Sequence, residues 1–134
     1  MRKSLPFLLA LGLVIGCSSD PTGVPPAPTP QPNDIDIVAG ASTRAGAAFD
    51  PNPKTLALGG AANIAVRWVN SDVTSGSYGG TSGVVHHIVS DDGTTFDTGD
   101  IGGYSTASKT LTAGTYHFHC SIHPTMVGTL TITE

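Results

Sequence analysis

Near its C-terminus the chain reads His119-Cys120-Ser121-Ile122-His123-Pro124-Thr125-Met126. A thiol, an imidazole and a thioether therefore recur three residues apart, at Cys120, His123 and Met126. Thiolate, imidazole and thioether are soft or borderline donors, and as a set they suit copper far better than calcium or magnesium. Met126 is the only methionine besides the initiator, which singles it out within the set. A tight loop between two strands can aim all three side chains at one point.

A trigonal copper centre takes two imidazoles and one thiolate, with a weak thioether on its axis. The missing imidazole must come from elsewhere. Val84-Val85-His86-His87-Ile88-Val89 is an apolar stretch carrying two adjacent histidines. Side chains alternate along a strand, so only one of the two can face the ion. Composition alone leaves both open.

Strands must position these groups. From Asp34 onward the pattern has period two and is rich in Val, Ile and Thr. Ile64, Val66 and Trp68 share one face, with Ala65 and Arg67 opposite; Tyr116, Phe118 and Cys120 alternate with Thr115, His117 and His119; Leu130 and Ile132 alternate with threonines. Gly59-Gly60, Asp92-Gly93, Gly102-Gly103 and Ala113-Gly114 punctuate the runs as turns. No segment shows a helical period with caps. Short strands at this spacing predict an all-β sandwich with antiparallel pairing. Ser71 to Gly83, rich in Gly and Ser and lacking an apolar stripe, reads as a long mobile surface loop. His117 and His119 are expected to face solvent, Asp91-Asp92-Gly93 to form a hairpin turn without a catalytic role, and Trp68 to pack between sheets.

Together these residues resemble the cupredoxins, the small blue-copper class that includes plastocyanin, pseudoazurin and amicyanin. The resemblance runs over nearly all of Asp34 to Glu134. It rests on Phe49-Asp50-Pro51, the strand Val66-Arg67-Trp68-Val69-Asn70, the His-x-Ile strand, the Gly-x-Tyr-x-Phe-x-Cys approach and the Cys-x-x-His-Pro-x-Met loop, whose short spacing is similar to that of amicyanin. It implies a one-domain Greek-key sandwich binding one type 1 copper ion through His86, Cys120, His123 and Met126. His87 is the alternative to His86 and stands where the family often has an Asn that ties the histidine strand to the loop after the Cys, near Ser121. The family's exposed edge of the C-terminal histidine, here His123, implies an apolar patch through which electrons pass. The resemblance further implies a monomer serving protein redox partners.

The N-terminus suggests export. Arg2 and Lys3 precede an apolar run from Leu5 to Ile15. At eleven residues the run is shorter than the ~20 that cross a bilayer, so residues 1–16 read as a signal peptide. Val14-Ile15-Gly16-Cys17 resembles the lipobox of bacterial lipoproteins, which implies cleavage before Cys17 and acylation of that residue. Residues 17–33 follow as the lipidated cysteine and a spacer with six prolines from Ser18 to Asn33. The expected location is periplasmic or at the cell surface, tethered to a membrane through lipid. With Cys17 acylated, Cys120 has no disulfide partner in an oxidising compartment, and a metal is the natural occupant of its sulfur.

Size and charge narrow the function. The 134 residues, with six Lys and Arg against ten Asp and Glu, hold one domain and no basic cluster for a nucleic-acid backbone. Removing residues 1–16 leaves four basic residues against ten acidic, a net charge of −6. No carboxylate pair suited to acid–base catalysis, and no nucleophile with its base, is visible. The expected function is therefore single-electron transfer and not enzymatic turnover. A lipoprotein that sequesters copper is the alternative, and a metal-free adhesion sandwich is a third reading that the unpaired Cys120 opposes.

Overall fold

The computed structural model describes residues 26–75 and 81–134. Residues 1–25, which hold the expected signal peptide, Cys17 and the start of the proline-rich spacer, lie outside them, as do residues 76–80. Eleven strands are described: β1 (Asp34–Ile37), β2 (Phe49–Asp50), β3 (Lys54–Ala57), β4 (Ile64–Asn70), β5 (Val73–Ser75), β6 (Thr81–Gly83), β7 (His86–Ser90), β8 (Asp97–Ile101), β9 (Thr106–Leu111), β10 (Gly114–Cys120) and β11 (Val127–Thr133). Two short 3-10 turns, Ala41–Thr43 and Ala45–Ala47, link β1 to β2.

Nine strands form two facing sheets, one ordered β2-β1-β4-β9 and the other β3-β11-β10-β7-β8. The all-β sandwich expected from the period-two runs is therefore present. Its pairing is not wholly antiparallel: β1 runs parallel to β4, and β3 parallel to β11. Pairing direction depends on how connections cross between the layers, and strand periodicity carries no signal for that. Within the expected loop, Val73–Ser75 and Thr81–Gly83 pair as antiparallel strands, and residues 76–80 lie outside the described residues. A Cβ on Gly83 would overlap the Cα of Gly103, so the hairpin comes close to the β8–β9 turn only because glycine is present on both sides.

The inward faces meet in an aromatic core. Val66 and Trp68 of β4 are buried while Ala65 is exposed, and Phe118 and Cys120 of β10 are buried while His117 is exposed. The Phe118 ring lies 5.0 Å from Phe49 and 5.8 Å from Trp68, edge-on to both. Gly128 of β11 stands opposite Phe118, where any Cβ would overlap the ring. Trp68 packs between the sheets, 4.9 Å from Phe96. Asp92 shapes the turn before β8 by accepting bonds from the Thr94 and Thr95 amides and from the Ser90 hydroxyl.

The end of the proline-rich tract is tied to the sandwich. Arg67 donates to the Thr29 carbonyl at 2.8 Å and Lys54 to the Pro32 carbonyl at 2.7 Å. Arg67 also grips Asp34 with two bonds of 2.6 and 2.7 Å. Burial pushes the Asp34 carboxyl up, but the bonds from Arg67 and the Gln31 amide outweigh it and hold the group below its ordinary value. Asp34→Asn should thus cost about 1–2 kcal/mol at neutral pH, as for a paired, partly buried carboxylate. A depressed folded-state value means this stability is present above the ordinary value of 3.8 and fades as pH falls below it. Urea melts of both proteins should converge as the pH is lowered; a gap that widens would contradict the assignment.

Candidate metal centre

Three side chains from two strand ends meet at one edge of the sandwich. β7 opens with His86, and alternation buries His86, Ile88 and Ser90 while His87 and Val89 turn to the other face. β10 ends at Cys120, which pairs with Ile88 across the sheet. The chain then turns back through His123 and Met126 into β11. This loop is closed by its own backbone: Met126 N donates to the His123 carbonyl at 2.9 Å, and Cys120 N to the Met126 carbonyl at 3.0 Å.

The Cys120 sulfur lies 3.7 Å from His86 Nδ1 and 3.7 Å from His123 Nδ1. The three ligand atoms all lie within 4.8 Å of one another. The two imidazole centroids are 5.0 Å apart, with the rings inclined at 54°. His86 and Cys120 are fully buried, and His123 is half-buried. Met126 is fully buried and packs in the core cluster beside Cys120. The structure thus brings His86, Cys120 and His123 together, and places Met126 buried in the same loop.

The surroundings favour a charged sulfur. Burial pushes the Cys120 thiol up, but bonds from His86, from the backbone N–H groups of His87 and His123 and from the His123 ring bring it down to about 6. This environment favours the thiolate, which is the metal-binding form. Burial alone would lower the His86 pKa; its bonds to Cys120 and Asp72 raise it above the ordinary value. Two nitrogens and a thiolate sulfur fit a borderline-soft ion, and copper is the best match among common metals. Cys120 is the only free cysteine among the described residues.

His87 is not part of this group. Its ring bonds Asp97 at 2.6 Å and Asp100 at 3.0 Å on the outer face. The tie between the histidine strand and the loop is made by the His87 backbone and not by its side chain: its carbonyl accepts from Ser121 N at 2.8 Å, and its N–H points at Cys120 sulfur at 3.5 Å. A main-chain tie needs no particular side chain, which explains how His can occupy the position. His119 bonds Asp91 at 2.6 Å and His117 meets Thr129 at 3.2 Å, both outside the centre.

One residue near the centre is absent from the sequence-based set. Asp72, buried between β4 and β5, meets His86 Nε2 at 3.0 Å. In the sequence it is a single acidic residue at the start of a Gly- and Ser-rich stretch, with no motif to mark it.

The fold is the cupredoxin β-sandwich. A purple cupredoxin from Nitrosopumilus maritimus superposes with a TM-score of 0.58 at 24% identity, over 75% of this chain and 98% of its own. A variant of amicyanin in its reduced Cu(I) form gives a TM-score of 0.51 at 19% identity, over 74% of this chain and 79% of its own. A copper-containing nitrite reductase from Thermus scotoductus gives 0.54 at 26% identity; it matches 81% of this chain, which spans only 24% of that enzyme. No protein-family model matches the chain, and no curated protein matches it in sequence.

Proposed function

We propose that this chain is a type 1 copper protein that carries single electrons between protein partners. The observation that carries the reading is the pair of 3.7 Å approaches of His86 and His123 to a buried Cys120 sulfur. His86, Cys120 and His123 would hold the ion, with Met126 as a weak fourth donor. Copper bound there supplies a one-electron Cu(II)/Cu(I) couple.

The chain's own residues supply rigidity. His86 and Cys120 sit on adjacent, paired strands, and the 121–126 turn is fastened by main-chain bonds to both. A donor set held this way moves little when its charge changes, which favours fast electron exchange. Burial of His86 and Cys120 keeps water from the sulfur, while half-buried His123 leaves a route to the surface. Ile122 beside it is 47% exposed, and Val85, preceding His86, is 41% exposed. Such an apolar rim suits brief contact with a partner. Part of a copper-containing nitrite reductase has a similar fold, but this chain covers a quarter of that enzyme, and we read it as a carrier and not as a catalyst.

The test is direct. One equivalent of Cu(II) added to the purified metal-free protein should give an intense visible band that ascorbate bleaches and ferricyanide restores. Absence of colour removes the reading, and a bound ion that does not cycle replaces the carrier with a sequestering protein. Met126→Leu should retain the ion and shift the potential upward, because loss of the thioether weakens the hold on the higher charge state. An unchanged potential would show that Met126 is not that donor.

We also propose that the mature chain starts at an acylated Cys17 and works from a bacterial membrane on the extracytoplasmic side. The lipobox-like Val14-Ile15-Gly16-Cys17 and the proline-rich spacer support this. Intact-mass analysis of the protein from its native membrane should show the diacylglyceryl adduct, and Cys17→Ser should release the chain to the aqueous phase.

A further inference from the structure

We propose that Asp72 is a positioning residue for the metal centre: its buried carboxylate holds the proton of His86 on Nε2, turns Nδ1 toward the sulfur of Cys120, and favours the higher copper charge state. This rests on the copper reading above.

Asp72 Oδ1 accepts the Gly40 backbone N–H at 2.7 Å, and a backbone amide can only donate. Asp72 Oδ2 faces His86 Nε2 at 3.0 Å with both side chains almost wholly buried. A carboxylate offers only acceptors, so in this pairing the Nε2–H of His86 donates to Oδ2. That leaves Nδ1, the atom that lies 3.7 Å from the Cys120 sulfur, as the ring nitrogen turned toward the metal centre. A histidine that ligates a metal through one nitrogen commonly donates its other N–H to a carboxylate, which fixes its tautomer and raises its basicity.

The main chain of Asp72 is held as well. Asp72 N donates to Asn70 Oδ1 at 2.9 Å, and the Asp72 carbonyl accepts from Val84 N at 2.9 Å. Asn70, fully buried at the end of β4, spends its own amide on the carbonyls of Val84 at 2.7 Å and Ile101 at 2.8 Å. One sheet therefore presents Asp72 to a ligand on the other. This also assigns a use to the segment around residues 71–84, which has no place in the ligand set. Asn cannot replace Asp72 without loss. An amide offers one acceptor and one donor group, whereas Gly40 and His86 both present N–H.

Two measurements decide it, both on the full chain. In the metal-free protein, nitrogen-15 NMR of the histidine rings should show a slowly exchanging proton on His86 Nε2 that Asp72→Ala returns to fast exchange. An unprotonated Nε2, or one exchanging as fast as the ring of exposed His117, overturns the proposal without any variant having to fold. In the copper-loaded protein, Asp72→Asn and Asp72→Ala should weaken Cu(II) relative to Cu(I) by roughly 10–100-fold. At 59 mV per tenfold for one electron, that is a rise of about 60–120 mV. An unchanged or lower potential in variants that still show wild-type melting overturns it as well. If the wild-type protein takes up no copper, the proposed function fails, while the ring-proton measurement still decides whether Asp72 orients His86.

Discussion

Cys120→Ser should abolish the intense visible band and leave the fold in place. The band requires a thiolate bonded to the ion, and at this position the neighbouring imidazoles and backbone N–H groups stabilise a charged sulfur. A serine hydroxyl keeps its proton far above that range and is a hard donor, so it replaces neither the charge nor the softness that copper selects. The hydroxyl still has the His87 N–H to bond, and the 121–126 turn is closed by main-chain bonds that the substitution does not touch. Copper titration followed by visible spectroscopy and a thermal melt would read both halves. A retained band would mean that the thiolate lies elsewhere; a protein that no longer folds would mean that the sulfur's packing, and not its ligation, keeps Cys120 buried.

Phe118→Ala should be the most damaging single change to stability, at about 3–5 kcal/mol. The ring is almost wholly buried, edge-on to Phe49 and Trp68 and 6.3 Å from Phe96. Nothing can fill the space it leaves cheaply. Its facing position on β11 is Gly128, which has no side chain to move in, and the surrounding rings belong to both sheets. Against a total of about 5–15 kcal/mol for a domain, the loss is a large fraction. Urea unfolding at neutral pH measures it, and a cost below about 1 kcal/mol would show that the two sheets do not depend on this ring. Because Phe118 is two residues from Cys120 on β10, the same variant should broaden the copper band even where the protein remains folded.

Much of the centre was legible from local chemistry. Cys120, His123 and Met126 fall within one turn, and a turn that short places its side chains together almost regardless of the rest of the fold. The β7 strand was legible for a different reason, since period-two burial allowed only one of His86 and His87 to face inward. Which of the two did so depended on register with β10, where Cys120 sits opposite Ile88. The tie between the histidine strand and the loop was not legible at His87, because the main chain makes that link and main-chain bonds leave no mark on residue identity. The β5–β6 hairpin was hidden in a stretch without apolar alternation. It lies against the β8–β9 turn through the close approach of Gly83 and Gly103, which are twenty residues apart in the sequence.

Residue type and spacing by themselves determined the kind of ion, the loop that grips it and the layered β architecture, because donor softness and strand alternation are properties of neighbouring residues. Tertiary structure alone decided that β1 and β3 pair in parallel, that His86 is the inward histidine, and that Asp72 lies behind it. Those outcomes depend on contacts between segments far apart in the chain. A buried carboxylate is defined by what surrounds it, and nothing beside Asp72 in the sequence tells that Gly40 and His86 will be there.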